Sequence, residues 1–144
     1  MKKFRFRLES VLRVRRIQED QARAGLLNAN AAAREAAHVV DARVARYHEL
    51  ARPAGLQAEP EFEKTLFTLD AAAGAVDVAR EQQLHALATV AERRADWSDA
   101  SMRVAALERL EDRQRAEHRV EVQRDADRTT DDLVVSRYAR GNHV

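Results

Sequence analysis

Five histidines, His38, His48, His85, His118 and His143, are the side chains best suited to moving a proton near neutral pH or holding a metal. They are scattered along the chain without metal-ligand spacing, and no His-Glu-x-x-His pair occurs. Cysteine is absent, which removes disulfides, thiolate nucleophiles and cysteine zinc sites. No Gly-rich phosphate loop and no nucleophile elbow is present. The histidines therefore read as ordinary solvated side chains. The expectation is no metal, no cofactor and no catalysis. What remains is the chemistry of contact: charge patterns, the lone Trp97 and short apolar patches.

Composition says which elements present those contacts. The chain has 144 residues, charged residues make up 34%, aromatics 5%, and Gly and Pro number 4 and 2. Much of the 45% hydrophobic content is alanine, which buries little area. Such a composition reads as long helix or coiled coil, with a seam in place of a rounded core. Net charge is +1 but uneven. Residues 1–23 hold eight Lys/Arg against Glu9, Glu19 and Asp20, whereas residues 108–132 hold nine acids against six arginines. A balance so near neutrality argues against a nucleic-acid partner, which calls for a one-sided basic field. Met1-Lys2-Lys3 is followed by no apolar run of signal-peptide type, because Arg5, Arg7 and Glu9 interrupt it. No run approaches the ~20 apolar residues of a membrane span, so a cytoplasmic location is expected.

The punctuation predicts one all-α domain over 1–144. Helix one runs over about 5–52, a loop over 53–60, and helix two over about 61–139. Arg52-Pro53-Ala54-Gly55 stops the first helix, and Pro60 with Glu61 and Glu63 suits the first turn of the second. Folded back, the two helices make an antiparallel coiled-coil hairpin. Its seam pairs Ala51, Tyr47, Val44, Val40 and Ala37 with Phe62, Leu66, Leu69, Ala73 and Val76, both sides keeping 3-4 spacing. Farther from the loop the layers turn polar: Ala33 with Arg80, Asn30 with Gln83, Leu26 with Leu87, and Glu19 with Arg94. Arg16 then meets Trp97 in a structural cation–π contact. Near the termini Phe6, Leu8 and Val11 fall opposite Leu107, Ala105 and Met102.

Helix two outlasts helix one in this scheme. Partners run out near Glu108, so roughly 30 residues project, about 45 Å of helix. This is the charged stretch, whose only aliphatics larger than alanine between Glu108 and Asp132 are Leu110, Val120 and Val122. The pairs Glu111–Arg115, Arg128–Asp132, Asp112–Arg115 and Asp125–Arg128 each add ~0.2–0.5 kcal/mol. An apolar tip follows, Leu133-Val134-Val135 and Tyr138. A second surface lies near the loop. Phe67, Ala71, Gly74 and Val78 fall outside the seam at 4-3-4 spacing, a smooth stripe with one aromatic anchor.

The order Phe6-Arg7-Leu8, Val11-Leu12, Arg15-Arg16, Trp97, Leu110-Glu111-Asp112-Arg113-Gln114, Asp131-Asp132-Leu133 and Arg137-Tyr138 resembles the FliJ family of flagellar export proteins. The likeness spans nearly the whole chain, while residues 25–90 depart from it. It implies a two-helix stalk similar to the γ subunit of rotary ATPases, with no catalysis of its own. It also implies three partners: a hexameric flagellar export ATPase, an export-gate membrane protein and export chaperones, in the service of flagellum assembly and motility. The open end, Leu8, Leu12, Arg113, Gln114, Leu133, Arg137 and Tyr138, would face the ATPase. The stripe Phe67, Ala71, Gly74 and Val78 would face the gate, so that membrane association is peripheral and through partners. The equivalent stalk of a virulence type III secretion system is the nearest alternative. An RNA-binding helical hairpin using the arginines of residues 1–23 is a second, of a different class. A passive structural tether is a third.

Overall fold

In the computed structural model, residues 3–53 and 55–141 are described; His143 and the Asn142 that follows Gly141 lie outside them. Among the described residues there are two helices and no strand: α1, Glu9–Leu50, and α2, Glu59–Gly141, packed against each other as a helical hairpin. Pro53 lies beyond the end of α1, whose last turn tightens until the Arg52 amide reaches the Glu49 carbonyl at 3.4 Å. Gly55 then takes a φ of 75°, left-handed backbone that glycine adopts at no steric cost. α2 begins two residues earlier than expected. Pro60 sits in its first turn, where a missing N–H costs nothing, and Glu59 and Glu61 face the positive helix end. The Thr65 hydroxyl donates to the Glu61 carbonyl at 2.9 Å and lies 3.0 Å from the Gln57 side-chain amide, tying the loop to the helix.

The chain divides into two compact units. The loop unit, Gln18–Ala100, has a seam of small side chains, with Ala29, Val76 and Ala79 its buried residues. On α1 the face is the one expected, Tyr47, Val44, Val40, Ala37, Ala33, Asn30 and Leu26 all being partly buried. On α2 Leu69, Ala73, Val76 and Gln83 also turn inward as expected, and the rest of the face differs. Ala79 and Ala86 turn inward in place of Arg80 and Leu87, and Phe62 and Leu66 are half-exposed. A Cβ on Gly25 would meet Arg93 Cδ at 3.7 Å, whereas the expected pairing sets Gly25 against Ala88. The register thus lies about one helical turn farther along α2. At the loop Leu50 shares an open depression with Lys64, Thr65 and Thr68, and Phe62 stands half-exposed where the expected ladder sets it against Ala51.

The terminal unit comprises Met1–Ile17 and Ser101–Val144. Its core is Phe6, Leu12 and Val104, with Phe4, Leu8, Leu107 and Leu110 packed around it. Leu12 and Val104 fill the places expected for Val11 and Met102, which are exposed. The larger difference is that residues 3–8 precede the helix; only Arg7 and Leu8 form a turn, leading into α1 at Glu9. Extended chain advances ~3.3 Å per residue against 1.5 Å in a helix, so a few residues cover several turns of α2. Phe4 accordingly reaches His118, with ring centroids 5.7 Å apart. The projecting part of α2 is shorter than expected. Every residue from 123 to 135 is exposed, and the stretch from Gln123 to the end of α2 measures about 28 Å.

Candidate partner-binding surfaces

The terminal unit joins its two segments by a strap, residues 3–8. Burial alternates along it: Phe4, Phe6 and Leu8 turn inward, and Lys3, Arg5 and Arg7 turn out. That period of two is the sequence pattern itself, a cation and an apolar residue in turn. Phe6, at 4% exposure, anchors the strap. The Arg115 guanidinium lies 4.9 Å from the centroid of the Phe4 ring and donates to Glu111 at 3.0 Å, so one side chain binds the strap to α2. Below the strap Arg16 donates to Glu108 at 3.1 Å, which is where its guanidinium goes, although Trp97 was the expected partner. Trp97 itself is partly buried in the loop unit, and its indole N–H finds no acceptor among the described residues.

The residues expected to face an ATPase are all in the terminal unit, in three settings. Leu12 is buried in the core and Leu8 is partly buried against it, so both help to hold the strap. Arg113 is exposed, its Nε 4.0 Å from Glu117, and Gln114 is partly buried. Leu133, Arg137 and Tyr138 are exposed on the projecting helix, Tyr138 at 78%. Beside them Val134 and Val135 are exposed as well, giving the tip a broad apolar surface. Between base and tip the helix is held by its own side chains. Arg128 pairs with Asp125 at 3.8 Å, and Gln123 donates to Asp127 at 2.9 Å.

In the loop unit Phe67, Ala71, Gly74 and Val78 are all exposed, Phe67 at 78%, and nothing lies within 4 Å of a Cβ built on Gly74. The register displacement adds Phe62 and Leu66 to the apolar surface near the loop. Sequence reasoning missed this addition, because a seam assigned by spacing alone assumes that both helices start at the same level. It also missed an open depression of about 270 Å³ lined by Val44, Tyr47, Ala73, Val76, Asp77 and Arg80. No spacing signal pointed to it, because the expected ladder sets Tyr47 against Leu66.

These surfaces offer apolar area and charge. Among the described residues no group of three or more His, Cys, Asp or Glu could hold a metal ion, and no helix is long and apolar enough to cross a membrane. A protein-family model described as "Flagellar FliJ protein" matches residues 4–143. No curated protein and no solved structure matches the chain.

Proposed function

The chain belongs to the FliJ family of flagellar proteins, components of the flagellar export machinery, and from that premise we propose that it is the stalk engaging the export ATPase through its terminal unit. One observation carries the reading: the last turns of α2 project with no packing partner among the described residues while exposing Leu133, Val134, Val135 and Tyr138. A helix polar along its middle and apolar at its tip gains little by projecting into water. Inserted into a ring of subunits, the tip buries that area, at roughly 25 cal/mol per Å² of apolar surface. Arg113, Gln114 and Arg137 supply polar contacts around it. The strap and the core under it fix the angle at which the projecting helix leaves the unit.

The stripe Phe67, Ala71, Gly74 and Val78 is assigned to the export gate. Phe67 is its anchor, and Gly74 lets a partner helix approach the α2 backbone closely. Export chaperones and a peripheral position at the membrane follow from the same assignment. The stalk hydrolyses nothing and acts by stabilising the assembled ATPase ring.

The test uses the full chain and a chain ending at Val122, each mixed with the cognate export ATPase. Full-length protein should bind the ATPase and raise its turnover, and the shortened chain should do neither. Equal binding and equal stimulation by both chains would remove the projecting helix from the interface and sink this reading.

A further inference from the structure

The cation row on the outer edge of the strap has no part in the stalk reading. Lys3, Arg5 and Arg7 point away from the core, and Arg13, on the second turn of α1, lines the same open depression as Arg5 and Arg7. None of these four makes an ion pair with a described residue. Several other cations of the terminal unit are engaged, Arg16 by Glu108, Arg113 by Glu117, Arg115 by Glu111 and Arg128 by Asp125. Those pairings engage Glu108, Glu111 and Glu117, three of the acids of α2 in the same unit. Glu9 is the one acid lining the depression.

We propose that this row is an electrostatic docking edge for the phosphate plane of an anionic lipid bilayer, a direct contact made by the chain itself and not through a protein partner. Three features favour a membrane surface over other polyanions. The row is carried by the exposed side of the strap, so a flat surface can reach all of it. The aromatic rings, Phe4 and Phe6, are turned inward, which leaves no platform on which nucleic-acid bases could stack. And Lys3, Arg5 and Arg7 are held apart by the apolar anchors between them, so their charge is set in place before the encounter. Each Lys or Arg near an anionic surface raises partitioning about fivefold, an effect that fades within a Debye length of about 10 Å at 0.1 M salt. Four cations against one acid make a reversible contact, a supplement to protein docking and not an anchor. The proposal does not depend on which protein receives the projecting helix.

The experiment is sedimentation of the full-length chain with vesicles of phosphatidylcholine alone or mixed with phosphatidylglycerol, at low and physiological ionic strength. Binding is expected to the anionic vesicles only, weakening as salt rises. The exposed double variant Arg5→Gln/Arg7→Gln should lower partitioning about 25-fold at unchanged helicity. Arg5→Lys/Arg7→Lys should bind as the parent does, since a phosphate plane reads charge and not the guanidinium fork. Arg34→Gln/Arg43→Gln, on the exposed surface of the loop unit, should also leave binding unchanged. Equal binding to both vesicle types, or an equal loss from the Arg34/Arg43 variant, overturns the proposal. So does a chain that ignores vesicles but binds soluble polyglutamate through Arg5 and Arg7, which would give the row to an acidic protein segment.

Discussion

At the scale of single residues, exposure separates structural from partner-facing positions, and the two classes answer to different measurements. Leu12, at 3% exposure, lies in the terminal core, whereas Phe67, at 78%, touches little of its own chain. Leu12→Ala should cost about 2–4 kcal/mol, the range for emptying a packed leucine site, read as a fall in the thermal unfolding midpoint by circular dichroism. Phe67→Ala should change stability by less than about 0.5 kcal/mol yet weaken docking of the export-gate partner proposed for the stripe. A Phe67→Ala variant that melts early would mean the ring packs at home. The sequence made Phe67 legible because it breaks the 3-4 spacing of its neighbours. It could not separate Leu12 from Val11, adjacent leucine-like residues in one amphipathic turn, because a one-residue rotation of the face leaves the spacing intact. The destination of Arg16 was illegible for a related reason: a long guanidinium reaches any of several acids, and only placed coordinates choose Glu108.

At the scale of elements, helix existence was legible and helix level was not. Pro53 and Pro60 bracket the loop, and α1 and α2 begin and end within a few residues of the positions that prolines, glycines and first-turn acids imply. The register was misplaced by about a turn, since the ladder was anchored at the loop, where the chain between Leu50 and Glu59 sets the level of α2 by its own path. Gly25 and Arg93 test this directly, helped by a chain that contains no cysteine. Gly25→Cys with Arg93→Cys should be joined by a short bifunctional thiol reagent that spans the lost length of the arginine side chain, read as a mobility shift on a non-reducing gel, more readily than Gly25→Cys with Ala88→Cys. The reverse result would restore the expected ladder. The strap shows a second limit. Lys3-Phe4-Arg5-Phe6-Arg7-Leu8 carries the alternation of an extended segment in plain view, but absorbing it into helix one lengthened the predicted overhang by treating each residue as 1.5 Å of rise. The shorter overhang still predicts a gradient. Amides of residues 123–141 should exchange fastest within α2, having no tertiary packing over most of their length.

At the scale of the whole molecule, the two units bury different kinds of side chain, and this sets how the chain loses structure. The core of the terminal unit holds large residues, Phe6 and Leu12, clasped by a strap that is not itself helical; the buried residues of the loop unit are Ala29, Val76 and Ala79 on two continuous helices. The ion pairs contribute little to either. Those described are solvent-exposed on at least one side, and pairs of that kind supply about 0–1 kcal/mol each. Stability in the terminal unit therefore rests on a few apolar side chains, with Phe6 the most buried of those on the strap. Phe6→Ala should cost about 3 kcal/mol locally, the lower end for a buried phenylalanine, because the site is near the surface and can partly collapse. Hydrogen exchange followed by mass spectrometry should then show amides of residues 101–118 losing protection while those of residues 72–86 keep theirs. Uniform loss across both regions would mean that the units unfold as one. If protection is lost in the terminal unit alone, Phe6→Ala should also weaken the ATPase stimulation proposed for the chain without touching Leu133 or Tyr138, because the projecting helix would leave from a base that no longer fixes its direction.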